Sequence, residues 1–157
     1  MGNVTSVKSK TFAAVAADTT SICANQTNSG AGSMTLTDTG KNGVLVPGNL
    51  GTTITITSTT GTTNSGITFD ITGMGIDGSS VTEATVTGPG GSTFVTGSTV
   101  FVSVTGITHS GTCTDVTVGT TATTTGTGVV TPGRTRIRGL HVVPSGVEGL
   151  IDFKNTS

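Results

Sequence analysis

The chain has 157 residues, a formal net charge of −1, 10% charged residues and neither Trp nor Tyr. Its seven basic side chains form no stripe of the kind that binds nucleic acid. No stretch is long and apolar enough to span a membrane. Thr (38) and Gly (25) together make up about two fifths of the sequence. Thr is β-branched and suits a pleated, half-solvated surface, and Gly supplies turns and bulges. The composition therefore predicts an all-β chain of short strands. Apolar content is only 32%, with five Phe, so the core must be thin and aliphatic. Contacts between copies, as a trimer or larger, would supply the missing burial.

In chain order, Lys8 and Lys10 precede a short apolar patch at Phe12–Ala17. The patch is too short for the apolar core of an export signal, so cytoplasmic synthesis is expected. It suits either a short helix or an extended arm over residues 1–17. Met1-Gly2 followed by Thr5 and Ser6 superficially matches a myristoylation signal and reads as an ordinary chain start. Cys23 and Cys113 are not at metal-ligand spacing. Two separate buried thiols are expected, although a bond between them would close a long loop.

Period-2 alternation dominates the chain from Met34 to Val118. It runs through Met34-Thr35-Leu36-Thr37, Ile54-Thr55-Ile56-Thr57 and, most clearly, Ile67 to Thr72, with Ile67, Phe69 and Ile71 inward. Val100, Val102 and Val104 form a further inward set, with Val116 and Val118 after them. Turn signals separate these runs at Lys41-Asn42-Gly43, Pro47-Gly48-Asn49, Thr63-Asn64-Ser65-Gly66, Asp77-Gly78, Gly88-Pro89-Gly90-Gly91 and Ser110-Gly111. A spacing of about ten residues between turns is that of an antiparallel sandwich or barrel. Ile67 to Thr87 reads as a hairpin turning at Asp77-Gly78, with a bulge near Thr82-Glu83 where the alternation changes phase.

The expected organisation is a β-sandwich over residues 1–121, a Thr/Gly linker over 122–133 and a C-terminal β-hairpin over 134–157. The hairpin pairs Arg134–Val143 with Val147–Phe153 across Pro144-Ser145-Gly146. Two strands alone are not stable in water. This piece must therefore complete a neighbour's sheet as a swapped element or open a second β module. It holds all three arginines. Arg134, Arg136 and Arg138 would share one strand face, either as edge protection or as an anchor for an acidic partner. With Phe153 they are the candidate partner-binding residues.

Chemistry is sparse. His109 and His141 have no ligand-spaced neighbours, so each reads as structural or solvent-exposed. The eight carboxylates accompany no aromatic sugar platform. Asp77-Gly78-Ser79 offers oxygens for Ca²⁺ but reads first as a turn. Gly88-Pro89-Gly90-Gly91 lacks the Lys and Ser/Thr of a phosphate loop. The three Asn-x-Ser/Thr matches, at Asn3, Asn25 and Asn155, are chance in so Thr-rich a chain. Thr-x-Thr rows such as Thr53–Thr57 could present an ice-binding hydroxyl array, but the strand spacing is irregular. No cofactor and no catalytic role are expected.

The stretch Gly66–Ser92, GITFDITGMGIDGSSVTEATVTGPGGS, resembles a module of tailed-bacteriophage virion proteins, especially those of marine and cyanobacterial phages. That module runs through a strand, a TGTDxDGNxxTE hairpin, a TGP step and a VTSVT-like strand. The last phrase stands here as Phe101–Thr108, with Asp115–Thr120 after it. Upstream, Ser21–Leu36 is similar to the module's opening. The resemblance covers residues 18–121 and departs at Gly73-Met74-Gly75, where an acidic turn is usual. It implies an antiparallel Ig-like β-sandwich in a virion assembled in the host cytoplasm. The implied roles are capsid decoration or cement, or a neck or tail component; the alternative, argued from Thr hydroxyls and Asn amides that could bind sugars, is a tail-fibre piece or glycan-binding adhesion module. The implied partners are the major capsid protein or other virion proteins, with no nucleic acid and no membrane.

Overall fold

The computed structural model describes residues 16–37, 44–45 and 51–122. Among them are nine strands and no helix: β1 (Asp18–Asn28), β2 (Gly32–Ser33), β3 (Val44–Leu45), β4 (Ile54–Ser58), β5 (Thr68–Met74), β6 (Ser80–Thr87), β7 (Phe94–Thr96), β8 (Ser103–His109) and β9 (Cys113–Thr120). They form two antiparallel sheets. The first has the order β1-β9-β4-β7, and the second β2-β8-β5-β6 with β3 also on β8. β5 pairs along nearly all of β8, so the short β2 and β3 share its other side, near His109 and Val104 respectively.

The register defines two ends. At the lower end Asp18 and Ile54 both face Thr120, and Met74 faces Ser80 and Ser103. The Thr52–Phe101 bridge and the bond from Val102 N–H to Met74 O (2.8 Å) join these sheet ends. Loops 75–79 and 97–102 lie here, and the described chain leaves here at Ala122. The upper end carries loops 59–67, 88–93 and 110–112.

The core lies between the sheets. Ile22, Ile54, Ile56, Val116 and Val118 of the first sheet meet Phe69, Ile71, Val104 and Ile107 of the second, all at most 1% exposed. The inward rows expected at Ile54/Ile56, Phe69/Ile71 and Val116/Val118 are therefore found. The row Val100, Val102, Val104 is not. Only Val104 is buried, Val100 is exposed, and Phe101 fills the core instead. The cause is the bridge: Phe101 is pinned to Thr52, and β8 begins only at Ser103, so Val100 and Val102 lie outside the strand whose alternation would have turned them inward.

The hairpin β5–β6 turns over Gly75–Ser79 as expected, with Gly78 at φ 79°. The bulge expected near Thr82-Glu83 is found at Ala84-Thr85, where the register jumps from Phe69↔Val86 to Ile71↔Glu83. Asp70 fixes that position by accepting the Thr85 N–H at 2.7 Å. Thr85 sits at φ 57°, a conformation that costs a β-branched residue about 1–2 kcal/mol. Met34–Thr37, expected as a strand, instead crosses between the sheets. Met34 N–H bonds Ile107 O of the second, and Thr37 N–H bonds Ile22 O of the first, each at 2.9 Å.

Cys23 faces Val118 and Cys113 faces Asn28 on the same pair of strands. Five strand positions separate them, roughly 16 Å, far beyond disulfide reach. Both are buried free thiols, as expected. The N-terminal arm, the linker from residue 123 onward and the C-terminal hairpin lie outside the described residues.

β1 bulges between Asp18 and Cys23 and lays its backbone against Gly119, where any Cβ would overlap the Asp18 carbonyl. Gly119→Ala is expected to lower stability by about 2 kcal/mol or more. Gly61→Ala, whose Cβ would meet nothing within 4 Å, should stay within about 0.5 kcal/mol of the parent. Urea midpoints of the two variants check this contrast.

Candidate functional site

The described carboxylates are Asp18, Asp70, Asp77, Glu83 and Asp115, and each accepts hydrogen bonds from local groups. Asp18 Oδ1 takes the Thr20 N–H (2.9 Å) and Asp77 Oδ1 the Ser79 N–H (2.9 Å). Glu83 Oε1 accepts from Ser98 N–H and Oγ. That contact ties β6, an edge of the second sheet, to the loop leaving β7, an edge of the first. Asp115, at φ 52°, forms the bulge of β9 and accepts from Asn25 Nδ2 at 3.3 Å. Among the described residues no three His, Cys, Asp or Glu side chains group as metal ligands.

His109 is buried, with Nδ1 2.6 Å from Gly111 O. A carbonyl can only accept, so Nδ1 carries the proton. Nε2 is left to accept from Asn28 Nδ2 at 3.3 Å. Both ring nitrogens are committed, and the ring packs 6.2 Å from that of Phe69. This is a structural histidine, one of the two readings its sequence context allowed.

Two side-chain amides act as short stretches of strand. Gln26 donates to Thr35 O (2.6 Å) and accepts from Thr35 N–H (2.8 Å), holding the crossing segment to β1. Asn64, 3% exposed, does the same for Thr114, with bonds of 3.0 and 2.9 Å, and anchors the β4–β5 loop to the start of β9. Sequence reading placed Asn64 only in a turn and gave Gln26 no role. Their partners lie 50 and nine residues away, and nothing local in the sequence marks them.

The crossing segment walls two open recesses. One, of about 320 Å³ on the second sheet, is lined by Ser33, Leu36, Asp70, Thr72, Thr105 and Thr108 among others. The second, of about 390 Å³, shares Thr35 and Leu36 with it and extends along β1. Their lining combines Ser and Thr hydroxyls, the Gln26 and Asn28 amides, one carboxylate already holding Thr85, and the apolar Met34, Leu36 and Ile107. This can hydrogen-bond a neutral polar surface, but it assembles no acid–base pair and no stacking platform. No described helix is long and apolar enough to cross a membrane. Arg134, Arg136, Arg138 and Phe153, the residues expected to bind a partner, lie outside the described residues. The chain matches no family model, no curated protein and no solved structure.

Replacing Asn64 by Asp keeps the acceptor for Thr114 N–H but sets a carboxylate against Thr114 O. Thermal unfolding should report a loss of about 1–3 kcal/mol. Burial pushes the Cys23 thiol up from 9.0 to about 12, against a smaller opposing effect of its hydrogen bond to Gln26. Because the folded-state value is the higher one, this contribution to stability is full below pH 9 and is lost as pH rises from 9 towards 12. Denaturant midpoints should fall across that window, and Cys23→Ser should flatten the fall.

Proposed function

We propose that the protein is a non-enzymatic structural component of a bacteriophage particle, a decoration or cement subunit of the capsid. One observation carries the reading: the virion-module stretch Gly66–Ser92 and the phrase Phe101–Thr108 supply β5, β6 and β8, consecutive strands of the second sheet. The module likeness thus falls on packed scaffold rather than on loops. The physical character of the sandwich suits the role. Four of its five described carboxylates hold backbone N–H groups, its surface is rich in hydroxyls, and its thin core gains from contacts with neighbours. The partners on this reading are the major capsid protein or other virion proteins, together with further copies of the chain as a trimer or larger. No nucleic acid, membrane or cofactor enters.

The finer fold assignment belongs to the same proposal. β4 beside β7 and β5 beside β8 are the adjacencies an Ig-like sandwich makes between its second and fifth and its third and sixth strands. β9 departs by lying on β4 rather than on β8. A glycan-binding adhesion or tail-fibre role is the second reading, favoured by the hydroxyl-lined recess over Thr72 and Thr108.

Mass spectrometry of purified particles tests the first reading. The chain should be present in fixed stoichiometry with the major shell protein and be removable without loss of the shell. Particles that lack it would overturn the proposal. Saturable binding to a glycan array, lost in Thr72→Val with Thr108→Val, would establish the second.

A further inference from the structure

Formal charge divides sharply along this chain. The described residues carry five carboxylates and no Lys or Arg, a formal −5 with His109 neutral. Residues 123–157 carry Arg134, Arg136, Arg138 and Lys154 against Glu148 and Asp152, a formal +2. Apolar exposure is equally uneven. Of the four exposed large hydrophobic side chains among the described residues, Met74, Ile76 and Val100 lie at the lower end and only Phe94 lies elsewhere. Asp18 and Asp77 lie at that same end, and the described chain leaves there at Ala122, with 35 residues beyond it.

We infer that the lower end of the sandwich is a docking surface for this chain's own C-terminal segment, within residues 129–157. The segment matches the surface in both respects. It brings cations to an end bearing Asp18 and Asp77, and it brings Ile137, Leu140, Val142, Ile151 and Phe153 to an end bearing Met74, Ile76 and Val100. Tethering favours it over a second copy, because a segment joined a few residues from its site meets it at an effective concentration in the millimolar range. The inference concerns the isolated protein and holds whether or not the chain belongs to a particle.

Trypsin reads the docking directly, because the described residues offer it no cleavage site. The full chain and a free peptide of residues 129–157 are digested side by side. Cleavage after Arg134, Arg136 and Arg138 should be at least about tenfold slower in the full chain, the protection expected of a segment docked about nine-tenths of the time. Asp18→Asn with Asp77→Asn keeps both Oδ1 acceptors while removing two charges. Adding Ile76→Ser should bring cleavage to within about twofold of the peptide, and raising salt should act in the same direction. Should a variant unfold in a far-UV melt, Arg136→Gln in the segment replaces it and should expose the Arg134 and Arg138 sites alike. Cleavage of the parent chain at the peptide's rate overturns the inference, as does protection that survives all these changes. Protection that grows with protein concentration assigns the surface to a second copy and equally overturns it.

Discussion

The need to partner every backbone group where a strand stops or bends shapes this protein more than its hydrophobic core does. The described core is thirteen residues, of which only Phe69 and Phe101 are aromatic. A buried N–H or C=O left without a partner costs about 1–3 kcal/mol, comparable to the gain from burying a whole Val or Leu side chain. A core this small tolerates few such losses. Gln26 and Asn64 therefore stand in for missing strand residues, Asp70 receives the N–H freed by the Thr85 bulge, and Glu83 joins two sheet edges through Ser98. The arrangement is incomplete in a few places. Thr57 Oγ1, Thr117 Oγ1, Ser103 Oγ and Glu83 Oε2 are buried with no hydrogen-bond partner.

This constraint bears on what the molecule can do. Side chains that usually carry chemistry are here engaged in holding the fold: the Asp115 carboxylate accepts from Asn25 and Thr27 of β1, and His109 lies between Gly111 O and the Asn28 amide. The formal charge of the described residues is wholly acidic, and every Lys and Arg of the sequence lies outside them.

The fold was legible where strands run straight against their neighbours. β5 keeps strict period-2 burial, Ile54/Ile56 and Val116/Val118 mark the inward rows of β4 and β9, and the Asp77-Gly78 turn has its own chemical signature. The fold was illegible where register breaks. β1 shifts three times, so its buried Ile22 and Cys23 are adjacent rather than alternate and no pattern announces the strand. The bridge to Thr52, made outside any regular strand, similarly hid Phe101 among the valines around it. The recess was beyond reach for a different reason. It is built from Ser33–Leu36, Asp70, Thr72 and Thr105–Thr108, which meet only because β8 lies between β2 and β5. The charge partition, by contrast, is plain in the sequence once the limits of the sandwich are known.

Every sheet border of the described fold is poorly suited to adding another strand. β2 and β3 are two residues long and β7 is three. β6 is bent at Thr85 and carries Glu83, and β1 is irregular, its own Gln26 holding the crossing segment at Thr35. A nearly neutral, Thr-rich β protein would otherwise be prone to stack edge to edge into fibrils. With its borders closed in this way, the molecule can be crowded at high local density and still meet its neighbours as a discrete block, through faces and ends.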